Sequence, residues 1–239
     1  MGKDKCIEFT ASHHAILFAS IAKSLIKDIG EDTAGNILRK AVRKYGEQRG
    51  RRMALRAKKY GHDLTMDNYF AYGEWEVPKG DMDFKFQEKN PHARMNVYKC
   101  PWYETWAKND MLKYGQYFCQ EIDNALVRGF NPSLVLEVSS TQTNDDKPCD
   151  FLFKDAGLSF LTILKLVYKK KIKPGKKVIM PWEYHCGHIY TTIGNVINQE
   201  LGRKPDMILE NALNDFATYF DEKCIEVIRQ YKNIDFEQI

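Results

Sequence analysis

The spacing of apolar residues changes twice along this 239-residue chain, and that change limits the folds open to it. Phe18, Ile21, Ala22, Leu25 and Ile29 recur at helical spacing and Gly30 stops them. Ile37, Leu38, Ala41, Val42 and Tyr45 then form a second helical face, capped by Asp32 or Thr33. That face continues as small residues, Gly46, Gly50, Ala54 and Ala57, which admit close helix contact, and Gly61 supplies a stop. From about Asn68 the pattern turns aromatic and alternating, predicting a strand over 69–77 and another over 94–99. Residues 100–102 open a loop or short helix. A helix capped by Asp110 runs to Gly129, and strands over 133–140 and 148–154 flank a polar hairpin loop. Helical spacing returns after a turn and extended piece at 174–180, with a helix from Pro181 to about Leu201. A last helix, capped by Asp206, carries Ile208, Leu209, Ala212, Leu213, Phe216, Phe220 and Val227. The expectation is one α+β domain over 1–239. Residues 1–62 form an N-terminal helical region, 68–155 a sheet with a central helix, and 156–239 a C-terminal helical region. An antiparallel sheet of about four strands is flanked by helices from both ends of the chain.

With 44% hydrophobic residues the chain can form a substantial core. No apolar run approaches the ~18 residues of a membrane span, so no membrane partner is expected. The N-terminal stretch MGKDKCIEFTASHH lacks an apolar signal core, and Cys6 stands where a myristoylation signal at Gly2 would want Ser or Thr. The six cysteines are widely spaced, which suits free thiols in a reducing cytoplasm. Residues 39–59 hold ten Lys/Arg against Glu47, a local charge of +9 in a chain of net +4. Such a stripe reads either as a solvated helix face or as a nucleic-acid surface. The first reading is favoured, since no recognition motif accompanies it.

Residues 119–155 concentrate polar and reactive side chains. On the helix 110–129, Asp123 shares a face with Gly115, Cys119, Ile122 and Leu126. A carboxylate there needs a partner or has a raised pKa, as a catalytic or a structural Asp would. Arg128 at the helix end suits the dipole or a substrate carboxylate. Glu137 sits mid-strand on the polar face, Thr141 and Thr143 lie in the hairpin loop, and Cys149 begins the return strand as a candidate nucleophile or buried thiol. No histidine falls in this block. His185 and His188, three apart on one face of a later helix, are the candidate base and a substrate contact; their spacing also allows a shared divalent metal with Cys149, Asp123 or Glu137. No cofactor is required by the sequence.

These motifs carry a resemblance. Cys119, Asp123, the turn Arg128-Gly129-Phe130-Asn131-Pro132, Thr141-x-Thr143 and Cys149-Asp150-Phe151 resemble the L-2-amino-thiazoline-4-carboxylic acid hydrolase family. The segment Tyr184-His185-Cys186-Gly187-His188-Ile189-Tyr190 is similar to a second block of it; the N-terminal helices match only in general character. The loop has Asn144-Asp145-Asp146 where a glycine-containing turn is expected. The resemblance implies a bacterial, cytoplasmic hydrolase of cysteine metabolism that opens a thiazoline ring to give a carbamoyl-cysteine. Reasoned from that chemistry, Cys149, His185 and Asp123 form the catalytic set, and Arg128, Glu137, Thr141, Thr143 and His188 the substrate contacts. The alternative is a non-catalytic small-molecule binding or sensing protein using the same pocket. A homo-oligomer is compatible with either.

Overall fold

A computed structural model of the chain describes residues 8–145 and 148–237. Cys6, and Asp146 and Lys147 of the hairpin loop, lie outside the described residues. Helices α1 (Ala11–Ile29) and α2 (Glu31–Lys59) meet at Gly30, which caps both with φ +83°, so Asp32 and Thr33 fall inside the first turn of α2 rather than capping it. There follow α3 (Met66–Ala71), β1 (Asp83–Glu88), β2 (Ala93–Lys99), α4 (Pro101–Lys108), α5 (Leu112–Cys119) and α6 (Ile122–Phe130). Then come β3 (Leu136–Ser140), the short α7 (Gln142–Asp145), β4 (Cys149–Phe153) and α8 (Phe160–Lys171). A 3₁₀ turn at Gly175–Val178 precedes α9 (Trp182–Leu201), α10 (Asp206–Phe216) and α11 (Lys223–Arg229). The sheet has four antiparallel strands in the order β1-β2-β4-β3, as the period-2 segments imply.

Two buried clusters follow from this order. One lies among the helices, built on α1, α2, α9 and α10. The other lies beneath the sheet, where Ala93, Leu136, Phe151 and Phe153 meet Met66 and Val127. Between them, α2 takes α6 on one face and α9 on another. The α6 contact uses the small-residue stripe: a Cβ on Gly50 would stand 2.3 Å from the Leu126 carbonyl oxygen, and one on Gly129 2.3 Å from that of Glu47. Only glycine permits that approach.

Further expectations change, among them the caps: Met111 rather than Asp110 precedes α5, and Pro205 rather than Asp206 precedes α10. Residues 69–77 are not a strand: α3 ends at Ala71, and the chain beyond runs outside the sheet with Tyr72 and Glu74 drawn wholly into the helical core. The alternation was real, but its inward residues face helices. The helix expected over 110–129 is broken between Cys119 and Ile122, where Glu121 turns to pair with Arg43 at 2.8 Å. The hairpin loop holds the helical turn α7. The last helix divides after Phe216 into α10 and α11. Strand β1 comes from a stretch too polar to announce itself, because it is an edge strand exposed along most of its length.

Candidate functional site

The apolar face of α2 does not end where its apolar residues end. Val42 and Tyr45 are followed on the same face by Arg49, Arg52 and Arg56, and the core contains the first two of these as fully as any leucine: Arg49 is 1% exposed and Arg52 2%. Their counter-charge is Glu74, itself fully buried. Arg52 holds it bidentately, Nε to Oε1 at 2.7 Å and Nη2 to Oε2 at 2.9 Å. Arg56 Nη1 donates to Oε1 at 2.7 Å and Arg49 Nε to Oε2 at 3.3 Å. Three guanidinium groups therefore share one carboxylate. Arg49 also stacks on Trp75, 3.8 Å from its ring centroid. Its Nη1, like that of Arg52, is buried without a hydrogen-bond partner.

Three histidines ring this cluster and all are held neutral, because burial and the neighbouring arginines both disfavour a further positive charge. The pKa of His14 falls to about 3, and those of His185 and His188 lie well below the usual value. Their tautomers follow from their partners. His185 Nε2 faces the Glu74 carbonyl oxygen at 3.3 Å and must donate. His188 Nε2 donates to Gln48 Oε1 at 2.8 Å, which also receives the Thr192 hydroxyl at 3.0 Å. Trp102 Nε1 donates to His14 Nδ1 at 3.1 Å, leaving His14 Nε2 to donate to the Tyr45 hydroxyl at 3.1 Å. His185 and His188 thus carry bare Nδ1 atoms, buried and unpartnered.

Arg49, Glu74 and Trp75 form one wall of a cleft of about 550 Å³, completed by Tyr69, Leu126 and Lys170 among others. Asp123 stands one helical turn before Leu126 on α6, and its charge is felt by Tyr69. Burial raises the Asp123 pKa to about 6, with the charge of Arg49 opposing the shift. Cys100 and Cys119 feel the charge of Asp123, and Cys149 lies close to both. Burial pushes Cys100 up to about 12 and Cys119 well above its ordinary value, so both stay protonated near neutrality. Cys119 bonds the Thr143 side chain, Thr143 lies 3.3 Å from the Thr141 hydroxyl, and Cys149 Sγ accepts the Gln142 N–H at 3.3 Å.

The residues expected from sequence therefore separate into groups. Asp123, Thr141, Thr143 and Cys149 gather around α5, α6 and the hairpin mouth. His185 and His188 lie on α9 and bond the Glu74 carbonyl and Gln48 instead. Arg49 connects the two, since its charge acts on both Asp123 and His185. Arg128 and Glu137 join neither. Packing the small-residue face of α6 onto α2 turns Arg128 outward to Glu47 at 2.8 Å, and Glu137 pairs on the surface with Lys154 at 3.1 Å. Among the described residues, no three His, Cys, Asp or Glu side chains converge to hold a metal ion, so the shared metal that His185 and His188 suggested has no ligand set there. The stripe 39–59 is not simply a solvated face: besides the buried arginines, Lys40, Arg43, Lys44 and Arg51 pair with Glu200, Glu121 and Glu237. Sequence reasoning missed Arg49, Arg52 and Glu74. The available signal was that Arg49, Arg52 and Arg56 continue the helical spacing of Val42 and Tyr45.

The chain is an α+β protein, a helix-flanked antiparallel sheet with a buried arginine cluster at the wall of a cleft. A family model described as L-2-amino-thiazoline-4-carboxylic acid hydrolase matches residues 10–153, and the chain belongs to that family. The family's name implies a hydrolase. The match runs from α1 to β4; it takes in both N-terminal helices and stops short of the His185 block on α9. No curated protein and no solved structure matches the chain significantly.

Proposed function

We propose that the protein hydrolyses a small carboxylated cyclic amidine, 2-amino-thiazoline-4-carboxylate or a close analogue, bound in the cleft beside Arg49. One observation carries this reading: three arginines crowd one carboxylate at the wall of a cleft, with a buried guanidinium nitrogen of Arg49 unpartnered. Buried charge is costly unless compensated, and a ligand carboxylate would compensate it. Arg49 thus takes the clamp role first assigned to Arg128.

The reaction needs water added at C2, the carbon between ring nitrogen and sulfur. Asp123 takes one proton from that water and passes it to the ring nitrogen as hydroxide adds to C2; the C2 hydroxyl then gives up its proton, by way of Asp123, to the departing sulfur as C2=O forms and the C2–S bond breaks, leaving a carbamoyl-cysteine. A carboxyl group with a pKa of about 6 is largely ionised at pH 7 yet basic enough for this step. Cys149 and His185, expected as nucleophile and base, bond different partners, the Gln142 N–H and the Glu74 carbonyl, so this scheme uses water rather than a thiolate. His185 instead positions Glu74 through its carbonyl. The protonated thiols suit a reducing, cytoplasmic setting.

The test supplies purified protein with 2-amino-thiazoline-4-carboxylate and follows carbamoyl-cysteine by chromatography. Turnover that Arg49→Gln weakens chiefly through KM supports the reading. Calorimetric binding without turnover would favour the binding or sensing alternative, and neither binding nor turnover would overturn both.

A further inference from the structure

Helix α8 has an apolar face that none of the described residues covers. Ile163 and Leu166 point down and pack against the cluster beneath the sheet. Phe160, Leu161, Leu164, Val167, Tyr168 and Ile172, at the helix end, point out, with Phe160 74%, Leu161 67% and Ile172 66% exposed. These residues form a contiguous stripe over three helical turns, which is not how isolated surface apolar residues scatter. The helix is fixed to the body. Ser159 caps it by accepting the Thr162 N–H at 3.2 Å, and α8 packs on α3.

The charge carried by this segment itself has one sign. From residue 156 to residue 182 there are seven lysines and no Asp or Glu. Lys169 reaches Asp67 and Lys176 reaches Glu76 from neighbouring segments. Lys165, Lys171, Lys173 and Lys177 are exposed and enter no ion pair among the described residues. A second copy of this face would bring lysine against lysine. An anionic bilayer answers both features: apolar side chains enter the acyl boundary, Tyr168 suits the interface, and flanking lysines meet lipid phosphates and carboxylates. No helix among the described residues is long and apolar enough to cross a membrane, so the contact is one of lying on the surface.

We propose that α8 is an interfacial helix that docks the protein on an anionic membrane surface through Phe160, Leu161, Leu164, Tyr168 and Ile172 with Lys165, Lys171, Lys173 and Lys177. This departs from the expectation of no membrane partner. The surface lies outside the family match, so docking stands or falls separately from the hydrolase reading.

Vesicle flotation with the full chain tests it. Phosphatidylcholine vesicles containing about one-third phosphatidylserine should carry the protein, pure phosphatidylcholine should not, and raised salt should release it. Leu161→Glu/Leu164→Glu should abolish flotation. Lys171→Glu/Lys173→Glu should weaken it about tenfold or more, since each lysine near an anionic surface contributes several-fold. Circular dichroism melts confirm that both variants fold, and all substituted residues are exposed. The proposal is overturned if the wild-type chain stays out of the floating fraction at low salt. It is overturned equally if the leucine variant floats as well as wild type, which would reduce the effect to diffuse charge. A wild-type dimer that the leucine variant dissolves, without flotation, would assign the stripe to a second copy and overturn it too.

Discussion

Helices α2 and α8 are the two lysine- and arginine-rich helices of this molecule, and they spend their charge in opposite ways. In α2 most of the basic residues turn inward or find carboxylates: Arg49, Arg52 and Arg56 converge on Glu74, and Lys40, Arg43, Lys44 and Arg51 pair with glutamates. In α8, Lys165 and Lys171 stay outside beside an uncovered apolar stripe, while Lys169 reaches Asp67. A run of basic residues therefore has no fixed meaning. What decides is the phase of the charges relative to the apolar face. In α2 the arginines continue that face, whereas in α8 the lysines flank it.

Substitutions can break this contrast. The largest effect is expected from Glu74→Ala, which leaves three guanidinium groups without their shared carboxylate. Losing one partner of a buried ionic cluster costs about 3–5 kcal/mol, read as a fall in the denaturant midpoint. An unchanged midpoint would mean that the cluster is solvated. Gly50→Ala comes next, because its methyl would meet the Leu126 carbonyl at 2.3 Å. Overpacking of that kind costs about 1–3 kcal/mol, and thermal melts would register it. Asp123→Asn tests pH. The folded pKa of about 6 lies above the unfolded value, so this group favours folding most at low pH. That contribution is lost as pH rises through 6, by about 3 kcal/mol for a shift from 3.8 to about 6. The Asn variant should lose this slope and, if Asp123 is the base, the rise of activity through pH 6. The smallest effect is expected in α8, where Lys171→Glu should change stability by less than about 0.5 kcal/mol. A large loss there would show that α8 carries its charge as α2 does.

Much of this architecture was legible in the sequence because burial imposes a period. The strands β2, β3 and β4, the first two helices and α9 all show theirs, and Gly46 and Gly50 announced a close helix contact. Edge strand β1 was hidden because a strand exposed on most of its length has little reason to alternate. Segment 69–77 misled because alternating residues can pack on helices as well as in a sheet. At the candidate site, Asp123 was readable from its apolar neighbours, and His185 and His188 from their shared face. Arg49 and Glu74 were not. A charged residue is read as solvated by default, and its partner stands 25 residues away, in a segment whose conformation only the tertiary structure fixes.

Glu74 also constrains how the molecule assembles. Its carboxylate holds α2 from the first quarter of the chain, while its carbonyl receives the Met180 N–H at 2.8 Å and His185 from more than a hundred residues downstream. On an isolated α2, Arg49, Arg52 and Arg56 are like charges at neighbouring positions and repel one another. Closing that long loop is entropically expensive and must come before the cationic wall is complete. A nascent chain that has not yet made residues 174–185 therefore has the arginines but no complete cleft, which comes into being only when the late segments of the sequence close onto the early ones.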